Sequence, residues 1–221
     1  MRAALTILRK DLRIEWRTRE SVSTLLALGV LLLVVFTIAH DPTREEQPRL
    51  APSVLWATFV FTGLLGVQRS FLLEREQDCM AGLLMAPIDP SSIFVGKLLG
   101  NLVVLGVMQA IVVPLVALFL HVDMLPVLPA VLLVLTLGNL GFAAGATLFA
   151  AVAARTRARE VLLPLLLLPL VLPVLIAGVK ATQAVLTEGF GAAGDALRVL
   201  VAFDVIFVVA GWLLFAYVVR D

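Results

Sequence analysis

The 221-residue chain is 61% hydrophobic and 15% charged, with a mean hydropathy of +1.06. Those values exclude an ordinary soluble globular domain and point to a membrane protein. The net charge of +1 says little about partners, since in a membrane protein the placement of Lys and Arg is more informative than their sum.

In chain order, residues 1–20 read as an amphipathic helix ahead of the first apolar run. Leu5, Leu8, Leu12 and Trp16 recur at helical spacing, while Arg9, Arg13 and Arg17 fall on the flank with Thr6 and Lys10. We expect this helix to lie along the inner membrane surface, its basic face on anionic headgroups and Trp16 in the interface. The alternative is a solvated basic tail. A cleaved signal peptide is the rival reading of the first apolar run, and the amphipathic pattern before that run argues against it.

Six apolar runs near the ~20 residues needed to cross a ~30 Å hydrocarbon core lie at 22–39, 53–73, 93–120, 125–154, 161–179 and 199–219. Backbone polar groups find no water partners in lipid, so these runs are expected to be helices of a single all-α transmembrane domain spanning 1–221. With the N-terminus inside, 13 Lys and Arg residues fall on the cytoplasmic side and only Arg44, Arg49, Lys180 and Arg198 fall outside. That asymmetry predicts cytoplasmic termini. Cys79 falls on the cytoplasmic side, where thiols stay reduced, and is expected to be inert.

The second run is too short as first read. Val54 to Val67 is 14 residues, ~21 Å of helix at 1.5 Å per residue, so the helix must continue through Gln68 and Arg69 to about Leu73. Arg69 would then snorkel to the headgroups or meet a specific partner. Beyond it, "EREQDCMAGLLMAP" puts Met80, Leu83 and Leu84 on one face with Leu72 and Leu73, opposite Glu74, Asp78, Ala81 and Gly82. Pro87 terminates this short helix, and Asp89 reads as the N-cap of the next one with Pro90 at its first position. Segment 74–87 is therefore a clamped cytoplasmic elbow. Its apolar ridge suits a groove on a soluble partner; lying on lipid is the equal alternative.

"LRKDLRIEWRTRE" at Leu8 to Glu20, "RSFLLERE" at Arg69 to Glu76, "GLLMAPIDPSSIFVGK" at Gly82 to Lys97 and "REVLLPLLLLPLVLPVLIAG" at Arg159 to Gly178 together resemble type-2 ABC exporter membrane subunits. More narrowly, the chain resembles the haem exporter protein B family (CcmB), permease-like subunits of the cytochrome c maturation system. The resemblance implies that segment 74–87 is a coupling helix, with Glu74, Glu76, Asp78, Met80, Leu83, Leu84 and Pro87 at the interface with a partner ATP-binding subunit. It also implies a haem-handling membrane protein, a small single-span subunit and a periplasmic haem chaperone as partners in the bacterial inner membrane. ATP would serve to free the haem-loaded chaperone, with haem and ATP held by partners and no cofactor bound by this chain.

The residues agree that the chain carries no ATPase of its own. "GK" at Gly96 and Lys97 evokes a phosphate loop, but Leu98 occupies the magnesium-ligating Ser/Thr position and Ser91 the first glycine position. Lys97 reads instead as an interfacial anchor at the foot of the third span.

Within the spans, Gly138, Gly141 and Gly145, with Asn139 among them, read as a surface for close helix packing. Pro164, Pro169 and Pro173 weaken the fifth span beside the basic loop of Arg155, Arg157 and Arg159; this marks either a moving part or a static kink. Asp204 must face protein, water or a cation, and Lys180 and Arg198 are its expected ion-pair partners, with a haem-side contact as the alternative. His40 and His121, at outer span ends, are candidate haem-side ligands, though polar interface residues describe them better. Rival functions are an ABC-2 exporter of a lipid, glycan or drug, an intramembrane enzyme, for which the spans lack an acid or metal cluster, and a gradient-driven transporter.

Overall fold

A computed structural model describes residues 2–18, 20–40, 43, 46–76, 89–153 and 159–220. The described residues form seven α-helices: α1 (Arg2–Thr18), α2 (Glu20–His40), α3 (Gln47–Glu76), α4 (Pro90–Phe119), α5 (Leu128–Ala153), α6 (Arg159–Thr187) and α7 (Gly194–Arg220). Short 3-10 turns at Leu125–Val127 and Phe190–Ala193 lead into α5 and α7. Five stretches are long and apolar enough to cross a membrane: Gln47–Gly66, Pro90–Phe119, Leu125–Ala153, Leu165–Thr187 and Phe190–Val218. Ser23–Ala39 in α2 is a shorter apolar segment. The fold is that of an all-α polytopic membrane protein.

Local chemistry sets the helix ends. Glu46 Oε2 accepts from both the hydroxyl (2.8 Å) and the backbone N–H (3.0 Å) of Thr43, fixing the turn that leads into α3. The Thr43 hydroxyl, followed by its backbone N–H, holds the Glu46 carboxyl below its usual range. Asp89 accepts from the backbone N–H of Ser91 at 3.0 Å, and Pro90 follows at the first helical position, as the sequence predicts. α3 runs without interruption to Glu76, so the second helix does continue through Arg69.

Several spans are longer than expected, α3 among them, which begins at Gln47 rather than at residue 53. α6 remains helical across Pro164, Pro169 and Pro173 and extends to Thr187, carrying Lys180 within it. α7 begins at Gly194, which sets Asp204 ten residues into the helix, ~15 Å along its axis.

From α2 to α7 the helices alternate in direction, while α1 runs along the start of α4 in the same sense as α4. Gly29 of α2 faces Thr62 of α3 while Gly66 of α3 faces Leu25 of α2, an antiparallel register. α4 and α5 are antiparallel as well: Asn101 bonds Thr147, and eight residues further along α4 Gln109 bonds Asn139, eight residues earlier in α5. As a result α1, the end of α3, the starts of α4 and α6 and the end of α7 gather at one end of the bundle. Phe94 near the start of α4 packs on Phe215 and against Gly211, near the end of α7.

α5 is the hub. Its glycines admit bulky neighbours from three different helices: Gly138 faces the Trp56 indole of α3, Gly141 faces Phe203 and Asp204 of α7, and Gly145 faces Leu170 of α6. The small-residue surface therefore allows close approach, as expected, but it serves several seams rather than one. Trp56 is fully buried between Gly138 and Gly178, and its Nε1 donates to Thr182 Oγ1 at 2.9 Å. That bond satisfies the polar edge of a large apolar ring where no water is at hand. Phe59 links the indole edge-on to Phe142, extending the aromatic core from α3 into α5. The outward faces carry Leu31, Ile38, Val107, Leu165, Ile206 and Tyr217, all exposed, as a lipid-facing belt requires.

Candidate functional site

The end of the bundle bearing α1 holds the main candidate site. α3 stops at Glu76 and α4 starts at Pro90, so both ends of segment 77–88 are held on helices of this bundle. Glu74 and Glu76 lie in the last turn of α3. The other expected interface residues, Asp78, Met80, Leu83, Leu84 and Pro87, lie outside the described residues, as do Cys79, Arg155 and Arg157. Arg159 begins α6 at the same end of the bundle.

At the same end of the bundle, α1 packs on the first three turns of α4. The backbone of α4 is bare at Gly96 and Gly100, spaced four apart like a close-packing pair. A Cβ on Gly96 would fall 2.9 Å from Ile7 Cβ and 3.0 Å from the Ala4 carbonyl oxygen; one on Gly100 would lie 3.9 Å from Asp11 Cβ. Ala4 and Ile7 are buried accordingly, while Leu5 on the neighbouring face is 57% exposed.

Between the two glycines sits Lys97, only 1% exposed, and its Nζ donates to Asp11 Oδ2 at 2.8 Å. Asp11 Oδ1 also meets Lys10 at 3.1 Å. A buried ammonium without a counterion costs several kcal/mol, so α1 supplies the charge that lets α4 carry a lysine here. Lys97 is thus no interfacial anchor. Its expected position beside headgroups is taken by α1, and a carboxylate across the helix pair replaces water. The apolar side of α1 likewise rests partly on protein, where the sequence pattern pointed to lipid. The pattern weighed Leu5, Leu8, Leu12 and Trp16 and passed over Ala4 and Ile7; "GKLLG" opposite an acidic residue in α1 was the available signal.

Deeper in the bundle, polar side chains pair between α4 and α5. Asn101 Nδ2 donates to Thr147 Oγ1 at 3.0 Å, and Thr147 in turn donates to the Ala143 carbonyl at 2.6 Å. Asn139 Nδ2 donates to Gln109 Oε1 at 2.6 Å, leaving Gln109 Nε2 and Asn139 Oδ1 without partners among the described residues. Those two atoms are the complementary donor and acceptor of the same amide pair.

Asp204 is buried against Gly141, and neither of its carboxylate oxygens has a hydrogen-bond partner among the described residues. The expected pairing with Lys180 or Arg198 is not formed. Arg198 instead bonds Asp195 at 3.0 Å on the exposed first turn of α7. Asp204 lies too deep in the helix to share that surface. His40 ends α2, and His121 follows α4 in a left-handed conformation (φ 49°), exposed in the turn. Among the described residues, no group of three or more His, Cys, Asp or Glu side chains could hold a metal ion.

The model of the CcmB protein family matches residues 2–220, from α1 through α7. The chain belongs to the CcmB family. Similar CcmB relatives are the heme exporter protein B of Rhodobacter capsulatus, 31% identical over 91% of this chain and 88% of that one, and that of Paracoccus denitrificans, 30% identical over 88% and 87%. The Bradyrhizobium diazoefficiens heme exporter protein B is 29% identical over 96% of this chain and 94% of its own. Membership in CcmB and five apolar helices of spanning length make this a multi-pass bacterial membrane protein.

Proposed function

We propose that the chain is the membrane subunit of an ABC-type complex in cytochrome c maturation, itself non-catalytic, through which a partner ATPase drives release of the haem-loaded periplasmic chaperone. The CcmB match over residues 2–220 carries this reading. It is supported by the heme exporter protein B relatives, whose similarity extends along most of the chain. In this reading, segment 74–87 is the coupling element, received by the ATPase on the cytoplasmic side of the inner membrane. A haem-handling membrane protein, a small single-span subunit and the chaperone meet the remaining surfaces. Haem and ATP are held by those partners.

Mechanically, the proposal needs a short segment with both ends fixed, and the capped start of α4 and the unbroken α3 support that. A push on such a segment enters two spans at once. Replacing a ridge leucine, Leu83→Glu or Leu84→Glu, should abolish co-purification of the ATPase while leaving membrane insertion intact. Unchanged co-purification from detergent-solubilised membranes would contradict the assignment of this segment.

A further inference from the structure

We propose that α1 is latched to α4 as one rigid body, with Asp11 and Lys97 as positioning residues that carry α1 along with every displacement of α4. The geometry of the latch stands by itself; its part in transmitting force rests on the function proposed above.

Three observations converge on it. Gly96 and Gly100 open a groove in α4 that Ala4, Ile7 and Asp11 fill, with Ile7 closer to the Gly96 backbone than any added side chain would allow. Lys97 lies between those glycines, almost wholly buried, with its ammonium on Asp11. Its long stem gives it no exposed route to the headgroups, so withdrawal of α1 would take the Asp11 carboxylate from a buried ammonium. Third, the clamp sits seven residues into α4, about two turns beyond the N-cap at Asp89.

The consequence differs from that of a helix resting on the bilayer. A lipid-bound α1 would slide or detach independently as α4 moves. A latched α1 has no such freedom, and its outward face, with exposed Leu5, Arg9 and Arg13, travels with α4 across the membrane surface.

A disulfide tests this. The built Cβ of Gly100 is 3.9 Å from Asp11 Cβ, inside the range that a disulfide bridges. The chain carrying Asp11→Cys, Gly100→Cys, Lys97→Met and Cys79→Ser has thiols only at the latch and no lysine at position 97. In the complex purified from membranes, oxidation should cross-link α1 to α4 with equal yield in nucleotide-free and ATP-bound states. ATP hydrolysis by the oxidised complex should match that of the same complex after reduction, within about twofold.

Failure of the cross-link to form, a yield that falls on ATP binding, or hydrolysis that stops on oxidation and returns on reduction would each overturn the latch. Lys97→Met alone should lower chaperone release per ATP hydrolysed several-fold, and the oxidised disulfide should restore it; absence of that rescue also counts against the proposal. If the ATPase does not co-purify even with the native chain, the proposed function fails. Cross-link yield in the chain alone then decides the latch.

Discussion

At the scale of single residues, charge placement dominates. Asp11 and Lys97 compensate each other, yet their exposures differ: Asp11 is 18% exposed and has Lys10 beside it, whereas Lys97 is 1% exposed. The two halves of the pair should therefore respond unequally to mutation. Asp11→Asn takes a carboxylate from the buried ammonium and should destabilise the chain by about 3–5 kcal/mol. Lys97→Met leaves a carboxylate that still has water and Lys10, and should cost far less. Thermal unfolding of both variants in nanodiscs measures the difference; equal losses would mean that Lys97 is not desolvated. Sequence reading saw Lys97 and misplaced it, because hydropathy reports how apolar a helix is and not which neighbour covers it. Trp56 was missed for the same reason. Its burial depends on Gly138 and Gly178, 82 and 122 residues further along the chain, and no local pattern joins them.

At the scale of helix pairs, the polar contacts of α4 and α5 set register more than stability. Asn101–Thr147 and Gln109–Asn139 are spaced eight residues apart on both helices, so a one-turn slip would break both at once and leave three buried side-chain amides without these partners. Removing one partner should cost more than removing both. Asn139→Leu leaves the Gln109 amide alone in the bundle and should lose about 1–3 kcal/mol, whereas Asn139→Leu with Gln109→Leu should recover most of that loss. A double-mutant cycle by thermal unfolding checks it, and additive losses would show that the two amides do not depend on each other. The sequence had placed Asn139 among glycines on the fourth span. What it lacked was the partner, because Gln109 and Asn139 come together only when α4 and α5 adopt one particular antiparallel offset. The cap of α4 was legible, since Asp89, Pro90 and Ser91 are consecutive.

For the whole molecule, the apolar runs translated into helices with little loss. Span ends were less legible: α6 passes beyond Val179 to Thr187 and α7 starts at Gly194, because helical hydrogen bonding continues past the residues whose hydropathy marks a bilayer. The consequence for Asp204 is direct. Five residues into a span it could have reached Arg198; ten residues into α7 it packs against Gly141 instead. Direction of travel through the bundle puts α1, the helix ends that bracket segments 77–88 and 154–158, and the end of α7 together. In the function proposed above, that end faces the cytoplasm, as its basic sequence predicts, and receives the ATPase.

The direct test is site-specific photo-cross-linking from Met80, with a photoreactive residue in its place and the complex assembled in native membranes. The account predicts a covalent adduct with the soluble ATP-binding subunit. Adducts with lipid alone, or with a periplasmic protein, would contradict it.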